Sequence, residues 1–286
     1  MLYLFHICTG LTKSECKYTM KKLTELPLIF VQYPSGAGGW FLTALLHYSF
    51  DQSSGFYFDE FGSGHANQHI RLTNNWYDEV VMSPIGMAII HDDEHETYTK
   101  TERIEFLRTT VAASENTNLE IPQFICLHCV DINIFLEAFP NSKCVQINIT
   151  DDDLLACTVL FLKKRFDLEK FKLFCSQFPE YTDDPNIGFE KLQAQTYCTE
   201  DLEYFKWATP YVLSLAKNID NDPKFDDRLF EIMFADYWTD EVDSVIRALL
   251  GFVNSNPSQQ VFDALNLYLI KYRFQQPSFT GLYRYE

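Results

Sequence analysis

Residues 27–50 read PLIFVQYPSGAGGWFLTALLHYSF, and this stretch decides the expected fold. Residues 27–33 form a short apolar run rich in β-forming side chains, which predicts a buried strand. Residues 34–39 contain three glycines and predict a tight turn. Residues 40–50 then carry apolar side chains at helical spacing, so the stretch predicts a strand, a glycine-rich loop and a helix in direct succession.

The same alternation of strands and helices continues through the chain. Apolar strands separated by helices of about 10–15 residues are typical of a parallel sheet with helices on both faces. We therefore expect a single α/β domain over 26–286 with a helical C-terminal part, preceded by an N-terminal extension over 1–25. The further predicted strands are 123–129, 143–149 and 228–235. The further predicted helices are 101–113, 131–139, 154–166, 168–178, 201–217, 241–252 and 257–274.

Composition and charge narrow the classes of partner. The 286 residues are 47% hydrophobic, which is ample material for a core and excludes global disorder. There are 40 acidic and 23 basic residues, a net charge of −17. A protein that grips duplex nucleic acid or an anionic membrane needs a basic surface, so we expect neither partner. A local pocket for a small phosphorylated ligand remains compatible with this charge.

The eight cysteines and the start of the chain indicate the compartment. Most cysteines lie within apolar runs, which predicts buried free thiols in a reducing compartment rather than disulfides. No apolar run reaches the roughly 18 residues of a membrane helix. Residues 1–11 lack the basic start and small-residue cleavage site of a signal peptide. The expected location is therefore the cytoplasm.

The glycine-rich loop suggests an anion site. Gly36, Gly38 and Gly39 let the backbone turn tightly, and the helix that follows presents free N–H groups and the positive end of its dipole. Both features suit a phosphate or a sulfate. The loop has no lysine and matches neither G-x-x-x-x-G-K-(S/T) nor G-x-G-x-x-G, so an ordinary nucleoside triphosphatase is not expected. The alternative is a tight turn with no ligand.

The spacing of three residues around this loop resembles that of the sulfotransferases. Those enzymes have Y-P-(K/R)-S-G-(S/T)-(S/T)-W between the first strand and the first helix. Tyr33, Pro34 and Trp40 match this pattern at the same spacing. The resemblance implies the P-loop fold and a loop that holds the 5′-phosphosulfate of a nucleotide.

The charged and hydroxyl positions of that pattern depart from the family. The basic residue of the family falls on Ser35 and its serine on Gly36. Its two hydroxyl residues fall on Gly38 and Gly39. Binding of the sulfate and 5′-phosphate would therefore fall to the backbone of the loop.

Two later segments extend the resemblance. The family carries its general base in a strand K-T-H-L-P, and Cys126-Leu127-His128-Cys129 occupies that place, which makes His128 the candidate base. The family then holds a 3′-phosphate with the Arg and Ser of R-(D/N)-x-(K/R)-D-x-x-x-S. Here 149–157 read ITDDDLLAC, so Asp153 matches, Cys157 replaces the serine and the arginine is absent.

The resemblance covers most of residues 26–255 and implies a specific activity. It ends at 230–252, which resemble the late strand and helix of the family, whereas its R-K-G-x-x-G segment is missing. The implied reaction transfers a sulfuryl group from phosphoadenosine phosphosulfate to a hydroxyl acceptor, with Thr150 and Cys157 near the 3′-phosphate and no metal. Such a divergent sequence would fit a viral or bacterial source. The implied donor-binding residues are Ser35, Gly36, Ala37, Gly38, Gly39, Trp40, Thr150 and Cys157.

The departures favour a second hypothesis, a catalytically degenerate protein on the same fold. Residues 151–153 are three aspartates where the family binds a dianionic phosphate, and they would repel it. Such a protein would act as a structural or protein-interaction module, binding a protein partner or a second copy of itself. Basic residues from elsewhere could compensate for the aspartates, and the candidates are Arg71, Arg103, Arg108, Lys163, Lys164 and Arg165.

A third, weaker hypothesis is a metal-dependent hydrolase. His91, Glu94 and His95 match H-x-x-E-H, with Glu102 and Glu105 as further candidate ligands, although the acidic surroundings favour a solvated loop. A partial zinc set at 126–129 is incomplete, because alternate strand residues point to opposite faces. The acidic run 220–227 predicts another solvated loop, and the aromatic residues of 268–285 predict core packing and a docking tail.

Overall fold

A computed structural model gives the fold of the protein. Its parallel sheet is flanked by helices on both faces, which confirms the predicted α/β class. The residues that the structure describes are 28–34, 37–52, 56–58, 64–66, 86, 89, 98–112, 122–127, 131–179, 184–193, 199–214, 221–238 and 241–275.

The described sheet has four strands, all parallel, in the order β4-β1-β5-β6. Strand β1 pairs with β4 on one side and with β5 on the other, so the direction in which strands are added reverses at β1. Two short strands, β2 and β3, form a separate antiparallel pair. The strands are β1 (Leu28–Gln32), β2 (Phe56–Phe58), β3 (Gly64–Ala66), β4 (Gln123–Leu127), β5 (Lys143–Asn148) and β6 (Leu229–Met233).

Helices follow each of the four parallel strands. Short 3₁₀ segments occupy Lys206–Ala208, Pro223–Arg228 and Phe234–Trp238. The α-helices are α1 (Gly39–Phe50), α2 (Lys100–Ala112), α3 (Ile132–Ala138), α4 (Asp151–Arg165), α5 (Leu168–Cys175), α6 (Pro185–Leu192), α7 (Thr199–Tyr204), α8 (Thr209–Ser214), α9 (Val242–Phe252) and α10 (Gln259–Gln275).

The continuous apolar run of β1 reflects burial on both faces. Ile29 and Val31 lie in the core shared with α1, α4, α9 and α10, whereas Leu28 and Phe30 lie in the core shared with α2 and α3. Because alternate residues of a strand point to opposite faces, both sets must be apolar. Phe30 is fully buried and packs edge-on against Phe135 of α3 at 5.3 Å.

The predicted single helix over 201–217 is wrong. Within 199–214 the chain forms α7, a 3₁₀ turn and α8 in succession. Pro210 lacks the N–H that a continuous helix would use at that position, and its ring clashes with the preceding turn. The chain tightens before it, since the N–H of Ala208 donates to the carbonyl of Phe205 at 2.9 Å. Helix α6 was not predicted, although Asp184 caps it and Pro185 begins it.

The acidic run 220–227, predicted as a solvated loop, is in its described part a 3₁₀ turn that is largely exposed and is anchored by one buried residue. Phe225 is buried beside α3, and Asp222 caps the 3₁₀ turn by accepting from the N–H of Lys224. Arg228 donates to the carbonyls of Leu136 and Pro140 at 2.9 and 2.8 Å. Phe225 and the half-buried Arg228 therefore fix the segment to α3, while the carboxylates of Asp226 and Asp227 remain exposed to solvent.

Helix boundaries and cysteines agree closely with expectation. Helix α10 begins at Gln259, two residues after the predicted first position at Pro257. The four cysteines in the described ranges, Cys126, Cys144, Cys157 and Cys175, are buried free thiols as predicted. No helix within those ranges is long and apolar enough to cross a membrane. The predictions for 1–25, 91–96 and 276–285 lie outside the described residues.

Candidate functional site

The carboxyl ends of the parallel strands meet at one edge of the sheet, and the glycine-rich loop follows the central one. In open parallel sheets, ligands bind in the crevice outside the carboxyl ends, at the point where the strand order reverses. Strand β1 is that point, because the chain adds β4 on one side of it and then β5 and β6 on the other side. The residues after Gln32 are therefore at the position where this class of sheet places its ligands.

The junction between β1 and α1 is shaped by glycine. Gly38 adopts a left-handed conformation with φ 75°, which a side chain would disfavour. The N–H of Ala37 donates to the carbonyl of Pro34 at 3.0 Å and closes the turn. Helix α1 then begins at Gly39 with no side-chain cap and no acidic residue in its first turn. No side chain of the helix itself therefore caps its first N–H groups or places a carboxylate beside them.

Gly39 is required by the close approach of Tyr33. A Cβ atom on Gly39 would lie 1.9 Å from Cδ1 of the Tyr33 ring, far inside van der Waals contact. Tyr33 is itself held, since its N–H donates to the carbonyl of Leu127 at 3.1 Å. The half-buried Trp40 packs on the same core. The ring and the start of the helix therefore form one tightly packed unit.

A chain of hydrogen bonds lies beneath this junction. The Cys126 thiol donates to Oγ1 of Thr43 at 3.2 Å, and the Thr43 hydroxyl donates to the carbonyl of Gly39 at 2.7 Å. Burial raises the pKa of the Cys126 thiol to about 11, although the Thr43 and Tyr33 hydroxyls oppose the shift. The thiol is therefore neutral and inaccessible at physiological pH, which argues against a nucleophilic role.

The junction between β5 and α4 has the opposite character. Thr150 is exposed, and its carbonyl accepts from the N–H of Leu154 at 3.0 Å in the first turn of α4. Residues 151–153, the first three of that helix, are all aspartates. Carboxylates stabilise a helix N-terminus through its dipole but repel an incoming anion. Cys157 is fully buried in the apolar core, so its thiol offers no exposed surface to a phosphate.

Several basic residues that could have offset the aspartates lie elsewhere. Arg108 Nε donates to the carbonyl of Ala138 at 2.8 Å, at the end of α3. Lys163 lies twelve residues beyond Asp151 on α4, roughly 18 Å along the axis, and burial lowers its pKa. Lys164 and Arg165 are at the same far end of the helix. Arg103 is on α2, on the opposite face of the sheet, and Arg71 lies outside the described residues.

The described residues do not support the hypothesis of a metal site. In the described part of the chain, no three His, Cys, Asp or Glu side chains are grouped so as to hold a metal ion. Glu102 has a structural role instead: it accepts from the N–H of Thr99 at 2.8 Å, while its own N–H donates to the Thr99 hydroxyl at 3.3 Å. This reciprocal cap begins α2 and lowers the pKa of Glu102. His91 and His95 lie outside the described residues.

Comparison with known proteins adds no assignment. No family model matches the chain, and a search of curated proteins finds no match either. Of the residues predicted to form the site, Ala37, Gly38, Gly39 and Trp40 come together at the β1–α1 junction. Ser35, Gly36 and the candidate base His128, which follows the end of β4, lie outside the described residues.

One polar feature near the carboxyl edge was missed by the sequence analysis. Gln32, Gln146 and Glu231 are in register on β1, β5 and β6. Asn221 joins them, because its Nδ2 donates to Oε1 of Gln146 at 2.8 Å and to Oε1 of Glu231 at 3.5 Å. We call these four residues the polar row. The sequence does contain a polar residue within each of the apolar strands β1, β5 and β6, but only the strand pairing shows that these residues are neighbours.

Proposed function

We propose that the protein is a sulfotransferase-like member of the P-loop fold that transfers a sulfuryl group from phosphoadenosine phosphosulfate to a hydroxyl acceptor. One observation carries the proposal: the glycine-shaped start of α1, without side-chain cap or acidic residue, lies at the reversal point of a parallel sheet. The spacing of Tyr33, Pro34 and Trp40 adds the resemblance to the family.

The start of α1 suits the anionic end of the donor. The N–H groups at the start of a helix and the positive end of its dipole together attract a phosphate or sulfate. Gly38 bends the chain so that the backbone can approach the ligand closely. Residues 35–40 would therefore hold the 5′-phosphosulfate through backbone groups, in place of the basic and hydroxyl side chains that the family uses.

The proposed reaction needs one proton acceptor. The acceptor hydroxyl oxygen forms a bond to sulfur while the bond from sulfur to the 5′-phosphate oxygen breaks. The hydroxyl proton passes to His128, and the products are a sulfate ester and phosphoadenosine phosphate. An imidazole titrates near neutrality and suits this task. His128 directly follows β4 in the sequence, as the general base of the family follows its strand, and this supports the role.

The residues near the expected position of the 3′-phosphate match the family least well. A phosphate near Thr150 would face residues 151–153, and the buried Cys157 cannot replace the serine of the family. Each missing charge-assisted contact costs about 1.5–3 kcal/mol of binding. We therefore propose that donor affinity comes chiefly from the contacts at the start of α1 and is lower than a complete set of family contacts to the 3′-phosphate would give.

The acidic β5–α4 junction favours one second candidate, a scaffold that has lost the donor site. In that case the fold would serve contacts with a protein partner or a second copy of the chain. The absence of any lysine or arginine from residues 33–40 supports this alternative as well.

Calorimetric titration with phosphoadenosine phosphate, with ATP as the control nucleotide, distinguishes the two candidates. The donor hypothesis expects saturable binding that is tighter than for ATP and is weakened by Gly38→Ala, because a side chain is strained at φ 75°. Absence of heat at millimolar ligand, in protein whose circular dichroism shows a folded chain, would refute the donor site. Radiolabelled sulfuryl transfer, lost in His128→Ala, then tests the chemistry.

A further inference from the structure

The polar row breaks the apolar pattern of the sheet at its carboxyl end. On the face that packs against α2 and α3, the layers nearer the amino ends contain Leu28, Phe30, Cys144 and Leu229. The next layer contains Gln32, Gln146 and Glu231 instead. Strands covered on both faces are normally apolar throughout, and breaks in such local rules concentrate at functional sites.

The polar row is buried at Gln32 and Gln146 and reaches solvent at Asn221 and Glu231. Gln32 is 1% exposed and Gln146 2% exposed, whereas Asn221 is half-buried and Glu231 is exposed. A buried carboxamide costs free energy unless its hydrogen bonds are made, and the 2.8 Å bond from Asn221 satisfies Gln146 in part. Oδ1 of Asn221 is buried and accepts no hydrogen bond within the described residues. A core selected only for stability would contain aliphatic side chains here.

Asn221 is held in place by its neighbours along the chain. The N–H of Asp222 donates to Oδ1 of Asn133 at 2.8 Å, which ties this segment to the first turn of α3. Nζ of Lys224 lies 2.8 Å from a carboxylate oxygen of Asp222 and 3.3 Å from one of Glu137. These contacts fix the backbone next to Asn221. A ligand that binds the Asn221 amide would therefore lose less conformational entropy in ordering it.

We infer that the polar row is a subsite for a neutral, polyhydroxylated acceptor such as a disaccharide, contacted by Glu231 and Asn221 and positioned by Gln146. This inference rests on the proposed function. Carboxamides and a carboxylate together donate to and accept from hydroxyl groups, each of which is both donor and acceptor. Glu231 is two strands away from β1, about 10 Å, so a hydroxyl presented to the loop must belong to an extended molecule.

Transfer from labelled phosphoadenosine phosphosulfate to cellobiose, with p-nitrophenol as the alternative acceptor, tests the inference. We expect kcat/KM at least about tenfold higher for cellobiose, and a KM for cellobiose raised about 10-fold in Glu231→Gln and in Asn221→Ala. Both variants should bind phosphoadenosine phosphate like the unmodified protein. Glu190→Gln, at an exposed position on α6, is the matched control and should change nothing. A preference for p-nitrophenol, or an equal loss of nucleotide affinity in the variants, would overturn the inference.

A second measurement separates this inference from the donor assignment. Saturation-transfer NMR with cellobiose alone requires no nucleotide. If the protein binds no phosphoadenosine phosphate, the proposed reaction fails. A cellobiose signal that is lost in Glu231→Gln would still support the subsite, and no signal in the unmodified protein would overturn it.

Discussion

Two strand-to-helix junctions lie side by side at the carboxyl edge of the sheet and have opposite chemistry. The β1–α1 junction consists of small, uncharged residues and leaves its helix without a side-chain cap. The β5–α4 junction begins its helix with three aspartates. The strands themselves are paired neighbours, so the contrast arises within two adjacent connections of one sheet.

The two junctions use the helix dipole for different purposes: one stabilises its own helix, and the other can bind an external anion. Aspartates at the start of α4 satisfy the helix dipole internally and stabilise that helix. The start of α1 leaves the same electrostatic potential available to an external anion. Of the two junctions, only the start of α1, which has neither a side-chain cap nor an acidic residue in its first turn, is therefore a candidate anion site.

The largest expected effect comes from filling the first junction. Gly39→Ala should lower the free energy of unfolding by about 3 kcal/mol, because the new methyl group would overlap the Tyr33 ring. Urea denaturation measures the change. The matched control is Gly251→Ala on α9, where nothing lies within 4 Å of the added Cβ, and it should stabilise by about 0.5–1 kcal/mol. Equal midpoints for the two variants would contradict the close packing of Tyr33.

The thiol beneath the first junction predicts a loss of stability at alkaline pH. An unfolded cysteine loses its proton near pH 9, whereas folded Cys126 retains its proton to about pH 11. The unfolded chain therefore binds fewer protons in this window, and rising pH favours it. Stability should fall by about 2–3 kcal/mol between these values through this group. Urea midpoints at pH 8, 9, 10 and 11 should decline less steeply in Cys126→Ala, and parallel declines would refute the assignment.

Neutralising the second junction should improve anion binding at the first. Replacement of Asp151, Asp152 and Asp153 by asparagine should tighten phosphoadenosine phosphate binding about tenfold at low salt, with a smaller gain at high salt. Each change should also cost about 0.3–1 kcal/mol of stability, since the α4 dipole loses its partner. Asp243→Asn, in the first turn of α9, should cost similar stability without changing affinity. An unchanged affinity in the triple variant would show that the two junctions act independently.

The smallest effect compares two matched threonines. Thr43 on α1 and Thr158 on α4 are both buried and donate to the carbonyl four residues earlier, at 2.7 and 2.8 Å. Replacement of either by valine should cost about 1 kcal/mol of stability. Only Thr43→Val should also weaken nucleotide binding, because its bond reaches Gly39 at the start of α1. Calorimetry on both variants checks this, and an equal loss of binding would point to a general effect.

The sequence is sufficient to predict what depends on local pattern. The β1 strand, the glycine loop and α1 follow from apolar runs and helical spacing within 24 residues, and the structure confirms them. The break at Pro210 was also present in the sequence, but the surrounding helical periodicity concealed it. Secondary structure is therefore predicted correctly where neighbouring residues favour the same element. It is predicted wrongly where one residue, such as Pro210, breaks the periodicity of its neighbours.

Features that depend on long-range register could not be predicted. The polar row brings together Gln32, Gln146, Asn221 and Glu231, which are separated by up to about 200 residues and meet only through strand pairing. The burial of Cys157 depends on which face of α4 turns inward, and the predicted helix did not specify that face. The burial of Phe225 within an otherwise exposed acidic segment likewise depends on contacts with α3, which is distant in sequence.

The central position of β1 also has a consequence during synthesis. The strand at the middle of the sheet is made first, but its first partner, β4, follows about 95 residues later and β5 later still. At about 5–20 residues per second, the ribosome needs roughly 5–20 s to supply that partner. Throughout this interval an apolar segment that ends buried on both faces lacks the two described strands, β4 and β5, that pair with it. The sheet can therefore close around β1 only after synthesis has passed residue 148, where β5 ends.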